Sequence, residues 1–325
     1  MPVATRKQIR DSVLETTQQL ASQIGSLVED FINISMQEIG SPAWVFKNER
    51  HYLWSWLKRK TTFTATSEDT VLERDIDKIA LVRQTDSPVR IVYLPDEIFY
   101  RELPNPTESG NPRIYRLWEI TGISTKLSTA STITIVSSSA LDNTSYKCVV
   151  SGYVSGRMQS EEITMNGTTA SSGSITFDAR EIFISKSANF NGNITIKDAS
   201  ANTLVIIGPQ EISPRFKVMS LWPTPSSTTV YIEYYKKIKE LNFDDEMPEF
   251  DPKWHHIVRL GALAKTYQHL GRVDDFAIIQ NIYQNAIRGM IQTDSTNPDA
   301  ISYMRKRDYK EIAGVRLHLS EDVIV

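Results

Sequence analysis

The chain of 325 residues has a single cysteine, Cys148, so no disulfide can form within it. That residue reads as a buried strand position, where a free thiol behaves as a small apolar group. No apolar run reaches the roughly 18 residues that a membrane-spanning helix needs. Arg6, Lys7 and Arg10 stand near the start, but polar sequence follows where a signal peptide has its apolar core. The expectation is a protein made and kept in a cytoplasm, or in a particle assembled there. There is no basic excess either. The 36 Lys and Arg face 39 Asp and Glu, a net charge of −3, which argues against a general nucleic-acid binder.

Catalytic signatures are also missing. Neither the phosphate-cradling loop of nucleotide hydrolases nor the glycine fingerprint of dinucleotide binders occurs. His51, His269 and His318 have no Ser, Cys or Asp beside them in a nucleophile context. His255 and His256 lie close to Asp244, Asp245, Glu246, Glu249 and Asp251. Adjacent helical residues point about 100° apart, however, and metal-binding pairs on a helix are set four residues apart. The segment reads as a solvated acidic loop before a capped helix. No catalytic, metal or cofactor residue is expected.

What is present is helical pattern at both ends and strand pattern between. Residues 5–39 read as one long helix. Thr5 and Gln8 have capping-box spacing, and Ile9, Val13, Leu20, Ile24, Leu27, Phe31 and Ile34 form its apolar stripe. Gly40-Ser41-Pro42 ends it. Trp44, Phe46, Tyr52, Trp54 and Trp56 follow at a spacing that resembles a base-stacking platform, but interleaved Val45, Leu53 and Leu57 point to a core. Short strands are predicted at 62–66, 71–74, 78–83, 90–93 and 114–120, with a brief helix from Pro95.

Between about 121 and 213 the composition shifts to Ser, Thr, Asn and Gly, with some seven short alternating segments such as Ile133–Val136 and Leu204–Ile207. That is the pattern of a β-sandwich of immunoglobulin-like size, without the paired cysteines and core Trp of antibody domains. The earlier style returns at Arg215–Trp222 and Thr228–Lys236. The sandwich therefore reads as an insertion, with strands 114–120 and 216–222 flanking it in one sheet.

The last helical region carries every start and stop signal. Asp251 is an N-cap and Pro252 a first-turn residue. Ile257, Leu260, Gly261, Ala264 and Tyr267 recur at helical spacing, and the small Gly261, Ala262 and Ala264 allow another backbone close. Gly271 closes this helix, and a second runs from Val273 to about Ile291. Residues 294–325 form a tail with little core-forming sequence. Arg305, Lys306 and Arg307 lie between Tyr303 and Tyr309, then Val315, Leu317 and Leu319 alternate. This tail is expected to dock on a partner, its alternating part by strand addition to a sheet edge.

Taken in order, these features resemble the head-to-tail adaptor, or connector, proteins of tailed bacteriophages. The residues that carry the likeness are Pro42-Ala-Trp44-Val-Phe46, Leu94-Pro-Asp96-Glu, Leu221-Trp-Pro223-Thr-Pro225, Tyr234-Tyr-Lys236-Lys, Met247-Pro-Glu249-Phe and the Gly261-Ala-Leu-Ala264 helix. It covers roughly 5–120 and 214–293. The resemblance implies an α+β fold. Residues 1–120 and 214–293 would be a discontinuous helical adaptor domain with a small β region, 121–213 an inserted all-β immunoglobulin-like sandwich, and 294–325 a docking tail. It also implies a structural virion protein at the head–tail junction, assembled in the host cytoplasm. Such a protein would form a homo-oligomeric ring, a dodecamer, below the portal protein. The ring would extend the DNA channel without sequence-specific binding and offer tail proteins a platform. Ile24, Phe31, Leu260, Gly261, Ala264 and Tyr267 would supply helix-packing faces. Two other readings fit the sequence: a tail-tube or baseplate component, and a cell-wall or carbohydrate hydrolase with the sandwich as its binding module.

Overall fold

The computed structural model describes residues 4–42, 52–86, 90–95, 97–99 and 108–295. The fold is mixed α+β, with helices at the two ends of the described residues and mostly antiparallel strands between them. The chain divides into two compact units, residues 1–60 with 233–325 and residues 61–232. The composition shifts lie elsewhere, at about 121 and 213.

The first unit is helical. It contains α1 (Arg6–Thr17), α2 (Ala21–Gly40), α3 (His255–His269) and α4 (Val273–Ser295). Thr5 caps α1 with the full reciprocal capping box, its hydroxyl taking the Gln8 N–H and the Gln8 side chain taking the Thr5 N–H. The single helix expected over 5–39 is two. Gln18 adopts the left-handed conformation (φ 58°), and the Gln19 N–H closes back onto the Leu14 carbonyl. No Gly or Pro marks this break in the sequence. Asp251 caps a 3-10 turn, Pro252–Trp254, that leads into α3. At the far end Gly271 (φ 71°) donates to Gln268 and Arg272 donates to Tyr267, the paired bonds of a Schellman ending. The hairpin is thus built as its punctuation indicates.

The second unit is β-rich. Seven strands make a sandwich-like region: β6 (Ser131–Ser137), β7 (Lys147–Val154), β8 (Arg157–Thr164), β9 (Ser171–Phe177), β10 (Ile182–Lys186), β11 (Ile194–Lys197) and β12 (Thr203–Ile207). One sheet has the order β12-β11-β6-β9 and the other β10-β7-β8. Alternation explains the burial: Ile133 and Ile135, Cys148 and Val150, Ile182 and Ile184, Ile194 and Ile196 all point into one shared core. An antibody constant domain pairs its strands as ABED against CFG. The order here differs, so the likeness is one of architecture.

Five further strands precede the sandwich and two follow it. They are β1 (Lys58–Ala65), β2 (Asp69–Val71), β3 (Ile76–Gln84), β4 (Val92–Tyr93) and β5 (Ile114–Thr121), then β13 (Phe216–Trp222) and β14 (Thr228–Lys236). They form two sheets, β1-β14-β3 and β2-β13-β5-β4. The basic Lys58–Lys60 run opens strand β1. The strands that bracket the sandwich, β5 and β13, are antiparallel neighbours with Trp222 opposite Ile114. Phe216 of β13 and Val71 of β2 join the sandwich core, a packing that no composition shift announces.

Candidate functional site

The helical unit surrounds α3. Nine of its fifteen residues are buried, including Ile257, Val258, Gly261, Ala262 and Ala264. Gly261 is the pinch point. A Cβ there would lie 2.6 Å from Ser35 Oγ, 2.8 Å from Ser35 Cβ and 2.9 Å from Tyr283 Cε2. Ser35 belongs to α2 and Tyr283 to α4, so the absent side chain lets both helices close on α3. Ala264 is fully buried, and Tyr267 is buried with the Arg272 guanidinium 4.6 Å above its ring. Ile24, Phe31 and Leu260 are partly buried and pack against the same core. All six helix-packing residues picked from the sequence therefore contribute to packing within one chain.

Polar groups are set into these seams. Lys265 of α3 pairs with Glu38 of α2 in a largely covered position, and the Tyr283 hydroxyl donates to the same carboxylate at 3.2 Å. Burial pushes the Tyr283 phenol well above its usual range, and the Glu38 charge adds to that, so it stays a donor. His255 is buried, its Nε2 3.0 Å from the Phe250 carbonyl and its Nδ1 taking the Ala4 N–H at 3.4 Å. Only the tautomer with the proton on Nε2 satisfies both contacts. His256 points elsewhere, its Nδ1 2.8 Å from the Lys253 carbonyl.

The acidic loop is tied up locally. Glu246 accepts the Asn242 and Phe243 N–H groups and pairs with Lys239 at 2.6 Å. Burial works against its charge, but these donors hold its carboxyl below the usual range. Glu249 pairs with Lys236 at 2.7 Å, and Asp244 with Arg10 at 3.0 Å. Arg10 and Arg6 both reach Glu29 at 2.5 Å, joining α1 to α2. Asn33 anchors the loop to α2, accepting the Leu241 N–H at 2.8 Å and donating to its carbonyl.

The aromatic stretch is a core feature where it is described. Trp54 is fully buried and donates to the Ile39 carbonyl at 2.6 Å, while Tyr52 and Trp56 pack partly buried beside it. Asp294 near the end of α4 accepts from the Tyr52 hydroxyl at 2.6 Å and from the Ser55 N–H at 3.2 Å. Trp44 and Phe46 lie outside the described residues, as do Tyr303, Arg305, Lys306, Arg307, Tyr309, Val315, Leu317 and Leu319. Cys148 is buried in β7, where burial pushes its thiol up to about 12. Among the described residues no group of three or more His, Cys, Asp or Glu is arranged to hold a metal ion, and no helix is long and apolar enough to cross a membrane.

Sequence reasoning missed Ser35, Glu38 and Lys265. Their only signal was a serine and two charges near the ends of otherwise apolar helix faces. It also caught only the margin of the buried face of α2, where Ile24 and Phe31 pack against the core. The buried residues are Gly25, Val28, Ile32, Ser35, Met36 and Ile39. The expected stripe is partly outside: Leu20 is 64% and Ile34 42% exposed.

No curated protein matches the chain. One family model does, over a segment that takes in β11 to β14, α3 and α4. It thus reaches into the 121–213 block and leaves out the N-terminal helices. Residues 188–305 match the model for the SU10 adaptor protein, a phage adaptor family, and this match supports a phage adaptor.

Proposed function

We propose that the chain is a structural virion protein that forms a closed ring, a dodecamer, between the portal vertex and the tail. It assembles in the host cytoplasm. The ring extends the DNA channel and serves as a platform for tail proteins. The observation that carries this reading is the SU10 adaptor match, because it falls on the α3–α4 hairpin and the strands before it. The physical character of the chain agrees with it. A slightly acidic protein guides a duplex without the counterion-release affinity that a basic lining creates. Different surfaces of one copy, repeated around an axis, close a ring.

In this proposal residues 121–213 are a guest module, carried between the paired strands β5 and β13, that projects outward to capsid, tail or fibre proteins. Residues 294–325 dock on a partner, Arg305 to Arg307 by charge and Val315 to Leu319 by strand addition. The chain works by binding and has no catalytic role.

Electron microscopy of the full-length protein, alone and mixed with a portal complex, tests the reading. A ring coaxial with the portal is the expected result. Assembly with tail proteins and none with a portal would move the protein to the tail tube or baseplate.

A further inference from the structure

The chain has two Asn-Gly pairs, Asn166-Gly167 and Asn191-Gly192. Both asparagines are exposed and both glycines are buried. Such a pair carries its own nucleophile, because no side chain shields the glycine nitrogen. That nitrogen attacks the asparagine Cγ, an N–C bond forms and the Cγ–Nδ2 bond breaks. The proton lost by the glycine N–H leaves with the side-chain nitrogen as ammonia. Water then opens the resulting imide to aspartate or isoaspartate. The fold fixes both glycines. Gly167 has a left-handed backbone (φ 58°), and a Cβ at Gly192 would lie 2.6 Å from the Ser139 backbone nitrogen.

Both nucleophilic nitrogens are bonded to one residue. The Gly167 N–H donates to the backbone carbonyl of Asp142 at 2.8 Å, and the Gly192 N–H donates to Asp142 Oδ2 at 3.0 Å. The Asn191 side-chain amide, the group that would leave, donates to Oδ1 at 3.0 Å, and the Asn191 N–H donates to the same oxygen at 2.7 Å. Asp142 is fully buried between β6 and β7, and Asn191 lies between β10 and β11. Attack requires the glycine nitrogen to lose its proton, and an anionic oxygen beside that proton opposes the loss. The bond from Nδ2 also restrains the asparagine side chain. The product does not fit the site: with Nδ2 replaced by oxygen, a second carboxylate faces Asp142 where a donor stood.

We infer that Asn191 is a latent self-modification site held unreactive by the Asp142 carboxylate, and that its conversion is a one-way step that loosens the sandwich loops. While the loops are closed, the carboxylate holds both the attacking and the leaving nitrogen. A local opening that outlasts imide formation converts Asn191, and the new acid keeps the two loops from closing as before. Asn166 is guarded by main chain alone, so loss of the Asp142 side-chain charge releases one pair and not the other.

The test is incubation of the full-length protein at mildly alkaline pH, native and in urea, followed by tryptic mass spectrometry that resolves aspartate from isoaspartate. Cleavage after Arg157, Arg180, Lys186 and Lys197 puts the two pairs in separate peptides, 158–180 and 187–197. In the native wild type both pairs should convert far more slowly than in urea. Asp142→Asn keeps the shape and the main-chain carbonyl but removes the charge. It should speed conversion at Asn191 about tenfold or more, the factor lost with a hydrogen bond to a charged group, and leave Asn166 at its wild-type rate. Conversion at Asn191 no faster than in wild type would overturn the inference. Equal acceleration at both pairs would too, since the fold as a whole would then be the guard. Native wild type converting at Asn191 faster than in urea would make the carboxylate a base that assists attack, and the inference would fall. Asn191→Asp carries the product from the start. Its Gly192 amide hydrogen should exchange with solvent about tenfold faster than in wild type, and an unchanged rate would overturn the one-way step.

Discussion

The helical unit and the β-sandwich solve the problem of a polar backbone in opposite ways. In the helical unit polar side chains lie within the packing seams: Ser35 against Gly261, Lys265 with Glu38, Tyr283 on Glu38, His255 on Phe250. In the sandwich most inward strand positions are apolar, the exceptions Ser131, Ser137 and Lys186 lying at strand ends, and the main polar knot gathers on Asp142 in a loop. There fully buried Asp142 takes the Ser137 hydroxyl at 2.5 Å, the Asn191 N–H at 2.7 Å, the Asn191 side-chain amide at 3.0 Å and the Gly192 N–H at 3.0 Å. Helices satisfy their own backbones and pack by close approach, so a polar side chain can be set between them. Sheets satisfy theirs sideways, and their loops must find acceptors elsewhere.

The sharpest way to break that comparison is to fill the pinch point. Gly261→Val places atoms where Ser35 and Tyr283 already stand and should destabilise the helical unit by roughly 3–4 kcal/mol, at the upper end for overpacking. Urea denaturation followed by helical circular dichroism measures it. Gly289→Ala, in open space on α4, is the matched control and should stabilise by about 0.5–1 kcal/mol. Equal effects at the two glycines would refute the close-approach account of α3.

Next in size is Asp142. Its removal in Asp142→Ala leaves several buried donors without an acceptor and should cost about 3 kcal/mol in the sandwich. Burial alone would raise this carboxyl, but the donors from Ser137, Asn191 and Gly192 hold it below its ordinary value. The sign follows from linkage. A carboxylate depressed by folding contributes stability that is complete above its unfolded value near pH 4 and lost as the pH falls through its folded value. The wild-type sandwich should therefore lose stability in the strongly acidic range, and Asp142→Asn should be weaker at neutral pH with a flatter acid limb. A mutant whose stability falls with acid as steeply as the wild type would show that other carboxylates set the limb.

Much of this contrast was legible in the sequence, and the reason is local chemistry. The capping box at Thr5, the Asp251-Pro252 start and the Gly271 stop are written in single residues, because each supplies a bond or a backbone angle that few others can. The sandwich strands showed because alternation has a period of two. The two apolar faces of α2 were not separable, because both recur at three- and four-residue steps and only packing decides which turns inward. Asp142 was invisible for a related reason. Its donors are five and about fifty residues away, and nothing nearby in the chain marks it as an acceptor.

A smaller effect tests the polar seam itself. Tyr283→Phe removes the hydroxyl that donates to Glu38 and keeps the ring that packs against Gly261. Lys265 still satisfies the carboxylate, so the loss should be about 1 kcal/mol in thermal or urea unfolding. A loss of several kcal/mol would mean that the three groups act as one network, and that the helical unit depends on its buried polar atoms as strongly as the sandwich loops do.

The smallest expected change concerns the break that the sequence hid. Gln18 holds a left-handed conformation that costs a residue with a Cβ about 1 kcal/mol, whereas glycine adopts it freely. Gln18 is exposed, so Gln18→Gly removes little packing and should raise the stability of the helical unit by about 0.5 kcal/mol. Glycine at the same place in a continuous helix would instead lower stability by about 1 kcal/mol. The two outcomes differ in sign, so one melting experiment decides between them. A lower melting temperature for Gln18→Gly would mean that α1 and α2 form one rod in solution. A higher one would mean that α1 and α2 are separate helices broken at Gln18, with Val28, Ile32 and Met36 turned into the core.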